Sequence, residues 1–504
     1  MKAFQSETVL KAAVAGFIFI VAFGFQGTRG LWEPDEGTCV SVAAEMLDAN
    51  EWIVPQLHHR PHLEKPPVMY WGMMVGIKLF GRNEWAVRSF FALCHALTAL
   101  LVGAIGCEFR GRRVGLTASL IYATLVLPAV ASNIARPDAP LALATTLSFY
   151  CFWISVSSPC QVNFWKMALC VSFGFGFMCK GPAALVLAAP MFAYLVLMGI
   201  VTQYFFTRWT LLGLLLFCLV GLSWYMYMAL KIPGAAAEFW DNQAWGRIIS
   251  TKYKRSPGII GGLRVYGPAM AWGSLPWSLV ALYNLVVQRT RVVEALRWPG
   301  LKRRPEILLS ILWISIPFII LFLASSKLPL YILPLFPAIA LLFALSLELE
   351  PKAASNTLAP PRGIVWGSIG MGVLILLTRF ASGHLAAARN SAMLWSEAKK
   401  RIPAGCNTIV TVDEHLDGLG FYSGKNIVAV TTAVHPYPTF ATPFPIDDEF
   451  KLIAQTHLLC AIITNRRTYA VHMDRIKNSL AKANVAYKEF SLPYNRTILI
   501  CNSQ

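Results

Sequence analysis

Eleven long apolar runs dominate the sequence and restrict what it can fold into. Runs of about 20 apolar residues are long enough to cross a bilayer as helices. They lie at about 11–28, 86–107, 114–132, 138–156, 164–179, 181–199, 208–230, 267–287, 306–325, 328–347 and 364–382. Only 14% of the 504 residues are charged, whereas soluble domains carry about 25%. The sequence therefore predicts a mainly α-helical, polytopic membrane protein with about eleven spans, in which 164–199 forms two spans or one broken span.

Lysines and arginines in the short loops indicate the orientation of these spans. They gather on one side of the membrane if every predicted span is real, and cytoplasmic loops are rich in such residues. The residues concerned are Lys2, Arg110, Arg112, Arg113, Arg289, Arg291, Arg297, Lys302, Arg303, Arg304, Lys352 and Arg362. The N-terminus is therefore predicted to be cytoplasmic, with 29–85, 231–266 and the tail outside. These loops explain much of the net charge of +18, so no nucleic-acid partner is predicted.

The tail from about 386 has the composition of a soluble domain. TIVTVDEH, NIVAVTT, LLCAIITN and RTILICN are typical of short strands, and a helix is predicted around 469–484. The sequence therefore predicts two domains. Residues 1–385 form the transmembrane domain, and residues 386–504 form a small α/β domain outside the membrane.

The first outer loop gathers charges that the surrounding sequence hardly uses. Glu33, Asp35 and Glu36 directly follow the first apolar run, and Glu64 and Lys65 come later in the same loop. Ionisable groups near membrane depth are costly and usually functional. Asp35 also opens a predicted amphipathic helix lying on the membrane surface. Asp35 and Glu36 are therefore candidate catalytic carboxylates, and helix capping by Asp35 is the alternative.

Three histidines, His58, His59 and His62, precede Glu64 in this loop. Imidazole and carboxylate groups are common metal ligands. The spacing is not diagnostic of a metal site, however, and a solvated loop is the simpler interpretation.

Further charged groups are predicted at the same outer face. Asp138 opens a span, Lys180 interrupts an apolar stretch, and Tyr331 follows Lys327 in a proline-rich segment. A cap is the alternative role for Asp138, and lysines at helix ends can extend to the interface. Arg247 lies in an aromatic and basic outer loop, for which an interfacial anchor is the alternative. Together these residues predict cations that hold a phosphate and carboxylates that face a sugar hydroxyl, an amine or a metal.

Five short motifs resemble one known family. They are PDEG, LEKPPVMYW, RPD, CKGP and SSKLPLYILPLFP, spread in order over 29–345. They are similar to the lipid A aminoarabinose transferases, which are related to the protein O-mannosyltransferases. The resemblance implies a C-type glycosyltransferase (GT-C) fold in a bacterial inner membrane, with the active site and the C-terminal domain in the periplasm. It also implies a sugar donor linked to undecaprenyl phosphate and an acceptor such as lipid A, among the membrane lipids.

The resemblance also implies roles for individual residues. Asp35 and Asp138 match the two acidic positions of the family. Residues that match positions holding the donor phosphate are Lys65, Arg247 and Tyr331, with Lys180 a further candidate. Glu64 matches an acidic residue associated with a bound divalent metal, and no organic cofactor is expected. At 242–246 the chain departs from the pattern, because relatives often have a histidine near the arginine, and this weakens the match of Arg247 and of any metal site.

The resemblance implies a transfer in which cations neutralise the leaving polyprenyl phosphate while the acceptor attacks the anomeric carbon. A phosphate acceptor needs little base catalysis, whereas a hydroxyl acceptor makes Asp35 the general base. A protein O-glycosyltransferase is one alternative. A transporter of lipid-linked sugars is another, but transporters place charges near the midplane and often contain repeats. The transferred sugar, aminoarabinose or another amino sugar or hexose, is not determined by the sequence.

Overall fold

The computed structural model describes residues 2–158, 161–240, 256–348, 359–385, 387–431, 444–445, 460–465, 474, 476–481 and 485–503. The chain falls into two compact units. The helical unit spans 1–26 and 88–378, and the mixed unit spans 27–87 and 379–504. The first outer loop thus belongs to the same unit as the C-terminal residues, whereas the sequence analysis grouped it with the transmembrane helices.

Each apolar run predicted from the sequence coincides with a helix or with two consecutive helices. The helices of these runs and their connections are Lys2–Phe23, Glu84–Arg110, Arg112–Thr124, Val126–Ala131, Asp138–Ser157, Val162–Lys180, Ala183–Val186, Ala189–Met198, Val201–Phe205, Arg208–Phe217, Ser223–Lys231, Ala235–Ala237, Gly258–Gly273, Trp277–Val287, Arg289–Leu296, Trp298–Arg303, Pro305–Leu323, Phe336–Ser346 and Arg362–Ser382. A π-helical turn at Cys218–Leu222 and a 3₁₀ helix at Pro329–Leu335 complete the set.

Local backbone features explain where the runs are broken. Leu125 is extended and separates two consecutive helices. Pro276 lies where Gly258–Gly273 and Trp277–Val287 meet at 83°. Pro329 and Pro334 lie in the 3₁₀ helix, where their missing amide hydrogens disfavour a regular α-helix. These prolines place Tyr331 in a short 3₁₀ segment at the start of a span.

The protein is a multi-pass membrane protein. Within the described ranges, seven helices are long and apolar enough to span a membrane, or eight if the bent pair counts as one span. The shorter apolar helices are Thr8–Phe23, Val68–Phe80 and Ala183–Met198. The candidate spans differ in exposure: 78% of the apolar window in Asp138–Ser157 is buried inside the protein, against 22% in Arg208–Lys231. Asp138–Ser157 is therefore a central helix, and Arg208–Lys231 has the exposure expected of a lipid-facing one.

The mixed unit combines the first outer loop with a sheet. The loop contains helices Asp35–Asp48 and Val68–Phe80 and a hairpin of strands β1 (Gln56–Leu57) and β2 (Arg60–Pro61). The C-terminal residues contain the helices Ser391–Ala398 and Gly418–Ser423. The remaining strands are β3 (Thr408–Val412), β4 (Asn426–Thr431), β5 (Phe444–Pro445), β6 (Cys460–Asn465), β7 (Val485–Leu492) and β8 (Arg496–Ser503).

The C-terminal sheet has the strand order β5-β4-β3-β6-β8-β7. Strands β3, β4, β5 and β6 pair in parallel, whereas β8 runs antiparallel to β6 and to β7. The sequence analysis predicted four of these strands and missed β5 and β7. The helix predicted around 469–484 is described only in part, and residues 476–481 are helical.

Both faces of this sheet are covered. Val410, Val428 and Ile462 lie in a buried cluster on one face, and Ile409 and Ile427 lie in a second cluster on the other. Side chains alternate between the faces of a strand, so strands covered on both faces are apolar at consecutive positions. This is why TIVTV and NIVAV could be identified as strands from the sequence, as short apolar runs rich in valine and isoleucine.

Candidate functional site

Three of the predicted site residues meet in the helical unit. Asp138 is the first residue of one helix and Lys180 the last residue of the next. The Lys180 ammonium forms an ion pair with Asp138 Oδ1, and the side chains of Lys180 and Asp138 are only 11% and 2% exposed. The same ammonium lies 4.1 Å from the centre of the Tyr331 ring. We call Asp138, Lys180 and Tyr331 the carboxylate–lysine–tyrosine cluster.

Helix geometry explains why Asp138 and Lys180 meet. Their helices pack antiparallel, with Ser148 and Ser172 hydrogen-bonded at 2.9 Å farther along, so the start of one helix lies beside the end of the other. The helix ends directly after Lys180, at Gly181, whose positive φ of 63° is one that glycine adopts readily. A cation at a helix C-terminus and a carboxylate at an N-terminus are both favoured by the helix dipole.

Neither Asp138 nor Asp35 is the N-cap residue of its helix. Pro137 and Pro34 occupy the N-cap positions of their helices, and neither helix has a side-chain cap hydrogen bond. Each aspartate is instead the first helical residue. Their carboxylates therefore remain candidates for chemistry, and their catalytic roles stay predictions.

Lys327 and Tyr266 are two further buried polar residues of the helical unit. Lys327 is 1% exposed, and its ammonium donates to the backbone carbonyl of Ala324 at 2.6 Å. Tyr266 interacts electrostatically with Asp138 and Tyr331, and its buried hydroxyl has no hydrogen-bond partner among the described residues. The sequence analysis missed Tyr266, because a tyrosine inside an apolar helix carries no signal that separates it from an ordinary core residue.

In the mixed unit, Glu36 has a structural partner. It is 1% exposed and forms an ion pair with Arg29 at 3.0 Å. Glu36 Oε2 also accepts the Trp32 amide at 3.0 Å, and the Arg29 guanidinium lies 4.3 Å from the Trp32 ring centre. Asp35, the neighbouring residue, is exposed. The structure thus distinguishes a buried, ion-paired carboxylate from an exposed one at adjacent positions, and sequence reasoning missed Arg29.

Glu64 and Lys65 lie together just before helix Val68–Phe80. Both are half-buried, and the Lys65 ammonium donates to the Glu64 carbonyl at 3.2 Å. His62 is buried beside them, and burial lowers its pKa. Within the part of the chain that the structure describes, no three His, Cys, Asp or Glu side chains gather to hold a metal ion. The metal role of Glu64 stays a prediction, and Arg247 lies outside the described residues.

His58 pairs with a residue that sequence reasoning missed, Asp417. The two side chains are 3.1 Å apart and mostly buried. Burial opposes the charge on His58, but the contact with Asp417 and its negative charge outweigh burial and raise the pKa of His58. Burial likewise disfavours the Asp417 carboxylate, yet His58 and the Thr38 hydroxyl together lower the pKa of Asp417. The mixed unit therefore contains a charged pair between the β1–β2 hairpin and the C-terminal residues.

This pair predicts a pH-dependent stability. Because the pKa of His58 is raised in the folded protein, its contribution is complete below about pH 6.5 and is lost as the pH rises through the raised value. We expect His58→Gln to lower the melting temperature more at pH 5.5 than at pH 8.5. Thermal unfolding of both purified proteins across this range measures the difference in melting temperature. Glu45, Arg60 and His62 are present in both proteins, so their own titration cancels in the comparison. An equal loss at both pH values would contradict the prediction.

Several known proteins are similar to this chain in sequence. The model of the dolichyl-phosphate-mannose-protein mannosyltransferase family matches residues 64–227. An undecaprenyl phosphate-alpha-4-amino-4-deoxy-L-arabinose arabinosyl transferase of Proteus mirabilis is 29% identical over 343 residues, covering 66% of this chain and 58% of that protein. A second one, of Serratia proteamaculans, is 26% identical over 392 residues, covering 76% and 67%. This chain is similar to the arabinosyl transferases. The expected family resemblance is thereby confirmed.

A solved structure has the same fold. The crystal structure of ArnT from Cupriavidus metallidurans bound to undecaprenyl phosphate matches 98% of this chain and 98% of its own, with a TM-score of 0.76 and 19% identity. The predicted GT-C fold with a small C-terminal α/β domain is confirmed. The aligned part of the chain spans about three fifths of the length of the Proteus relative.

Proposed function

We propose that this protein is a membrane glycosyltransferase that moves a sugar from undecaprenyl phosphate to lipid A or a related envelope acceptor. The transferred sugar is 4-amino-4-deoxy-L-arabinose or another amino sugar or hexose. The relatives named above are arabinosyl transferases whose names specify this donor. The observation that carries the proposal is the carboxylate–lysine–tyrosine cluster, a buried cation held at a helix end in a fold shared with ArnT.

The cluster is suited to a phosphate leaving group. Lys180 is balanced by Asp138 and Tyr331 when the donor is absent, so burying its charge is not prohibitive. When the acceptor oxygen bonds to the anomeric carbon, the bond from that carbon to the phosphate oxygen breaks, and the electron pair stays on undecaprenyl phosphate. A positioned ammonium stabilises the charge that develops there. Lys65 and Arg247 are the further proposed phosphate ligands.

The carboxylates have a separate role in this proposal. An acceptor hydroxyl must lose a proton as it attacks, and Asp35 is the proposed base. A phosphate acceptor is already ionised, and Asp35 then orients the sugar or stabilises positive charge at its ring. We also propose that the active site and the mixed unit face the periplasm, as the loop charges predict for a bacterial inner-membrane protein.

Transfer is tested with purified protein in lipid nanodiscs. Undecaprenyl-phosphate aminoarabinose and lipid A are the substrates, and mass spectrometry follows the gain of the sugar on lipid A. In parallel, lipid A and periplasmic proteins of a deletion strain are compared with the parent. Loss of a sugar from lipid A supports the proposal. Loss only from proteins would favour the protein O-glycosyltransferase, which the match of residues 64–227 to the mannosyltransferase family also allows.

Tyr266 provides a more specific prediction about the donor. Its buried hydroxyl lacks a partner among the described residues and interacts electrostatically with Asp138 and Tyr331. A hydrogen bond to a charged group contributes about 1.5–3 kcal/mol, so Tyr266→Phe should weaken binding of undecaprenyl phosphate about tenfold or more. Calorimetric titration in nanodiscs measures this. Tyr204→Phe is the control, because its hydroxyl is already paired with Ser155 at 2.7 Å and its loss should leave donor binding unchanged.

A further inference from the structure

The carboxyl group of Glu33 is enclosed by residues that follow the last span. Glu33 is 6% exposed. Its Oε1 accepts the Gly418 amide at 2.8 Å and the Ser391 hydroxyl. Its Oε2 is buried and has no hydrogen-bond partner among the described residues. A buried carboxylate usually pairs with a cation or several donors, so this environment suits a neutral carboxyl.

Two glycines make room for that carboxyl. A Cβ built on Gly37 would overlap both oxygens of Glu33, and one built on Gly418 would lie 2.5 Å from Oε1. Gly37 belongs to the helix that Asp35 opens, and Gly418 opens a C-terminal helix. The carboxyl therefore fits closely between the two helices, and a side chain at either glycine would displace it.

Backbone hydrogen bonds attach residues 31–33, just before Asp35, to residues 389–391. The Glu33 amide donates to the Arg389 carbonyl at 2.9 Å, and the Ser391 amide donates to the Leu31 carbonyl at 3.0 Å. Leu31 in turn donates to the Tyr422 hydroxyl at 2.9 Å.

Side chains attach the stretch after Asp35. The Thr38 hydroxyl donates to Asp417 Oδ2 at 2.5 Å, and the Ser41 hydroxyl donates to the Asp417 carbonyl at 2.7 Å. Residues 31–41 are therefore held on both sides of Asp35 by residues 389–422. The carboxylate of Asp35 itself is left exposed.

We propose that residues 389–422 hold Asp35 in its working position and that Glu33, in its neutral form, is the positioning residue of this contact. The proposal rests on the proposed function, in which Asp35 acts on the sugar or the acceptor, and it assigns a role to the C-terminal domain. Burial, then the nearby charge of Asp417 and last that of Glu36 raise the pKa of Glu33 well above its usual value, and they outweigh the hydrogen bonds from Ser391 and Gly418. Ionisation of Glu33 would place a second negative charge beside Asp417 and loosen the contact.

The test compares three variants of the full-length protein in nanodiscs. Glu33→Gln keeps a neutral group of the same shape, Glu33→Ala removes the group, and Ser391→Ala removes one donor while leaving the rest. Ser396→Ala is the matched control, because this exposed serine lies on the same helix as Ser391 and its hydroxyl donates to the Met393 carbonyl of that helix at 2.8 Å. Turnover, donor KM, the pH profile, thermal unfolding and amide exchange of 31–41 are measured.

Small misplacements of a catalytic group can cost about 100-fold in rate. We expect Glu33→Ala to lower kcat about 10- to 100-fold, with donor KM changed less than about threefold, and Ser391→Ala to have a smaller effect of the same kind. Glu33→Gln should keep kcat within about threefold of the parent. In the parent protein, ionisation of Glu33 should make kcat decline at high pH, and this decline should be absent in Glu33→Gln.

Amide exchange gives a result that does not depend on activity. Exchange of 31–41 should accelerate about tenfold in folded Glu33→Ala and stay unchanged in Glu33→Gln and Ser396→Ala. The proposal would be overturned if Glu33→Ala kept the parental kcat and the parental exchange rate. It would also be overturned if Glu33→Gln were as inactive as Glu33→Ala, or if kcat of Glu33→Gln declined at high pH as in the parent. If the parent protein transfers no sugar, the proposed function fails, and the exchange data still decide whether Glu33 fastens the loop.

Discussion

Replacing Asp35 with asparagine should lower sugar transfer by about 10²- to 10⁴-fold, the usual contribution of a general base. The carboxylate is exposed and belongs to the first residue of its helix. Asparagine has the same shape, so folding should be preserved. Turnover with the undecaprenyl-phosphate donor measures the loss, and thermal unfolding verifies that the variant is folded.

The same helix contains a matched control for Asp35. Asp48 is its last residue, is 61% exposed, and pairs with Arg82 on the surface. Surface ion pairs contribute about 0–1 kcal/mol, so Asp48→Asn should change neither turnover nor stability appreciably. An Asp35→Asn protein with parental turnover would exclude Asp35 from the chemistry. If transfer falls with a hydroxyl acceptor but not with a phosphate acceptor, Asp35 acts as the base.

Replacing Lys180 with glutamine should weaken binding of undecaprenyl phosphate about 10- to 100-fold. A hydrogen bond to a charged group contributes about 1.5–3 kcal/mol, and each 1.4 kcal/mol changes Kd tenfold. The variant also leaves the buried Asp138 carboxylate without its ion-pair partner, which destabilises a protein. Calorimetric titration of the donor lipid in nanodiscs measures binding, and thermal unfolding measures stability.

A double variant separates the two effects of losing Lys180. Asp138→Asn combined with Lys180→Gln removes both charges, so the lost stability should largely return while donor binding stays weak. Lys166 is the control at the other end of the same helix, where its ammonium donates to the Tyr204 carbonyl at 2.9 Å. Lys166→Gln should affect stability and not donor binding. Donor binding restored in the double variant would show that Lys180 acts only by neutralising Asp138.

Much of the fold could be predicted from the sequence because hydrophobicity dictates it locally. A helix that crosses a bilayer must be apolar along its whole length and satisfy its own backbone hydrogen bonds, so the helices lie where the apolar runs are. The parallel strands were likewise visible as short runs such as TIVTV, because both faces of the sheet are buried. Strand β7, VAYKEFSL, escaped detection because this edge strand carries exposed polar residues at consecutive positions, Lys488 and Glu489, which interrupt its apolar pattern.

Three candidate residues could be identified from the sequence because burying a charge is costly. Asp138, Lys180 and Tyr331 were chosen from separate helix ends by counting spans, and the structure places them within one cluster. The sequence alone determined this much because a charged residue beside an apolar run has few acceptable positions.

Only the tertiary structure determined which carboxylates are buried. Glu33, Asp35 and Glu36 are equivalent in the sequence, yet Glu33 is buried between two glycines, Glu36 pairs with Arg29, and Asp35 alone is exposed. The partners of Glu33 come from residues more than 350 positions away. Burial and hydrogen bonding depend on contacts between distant segments, and no local pattern records them. The packing of the C-terminal residues against the loop is therefore what distinguishes Glu33 from its neighbours.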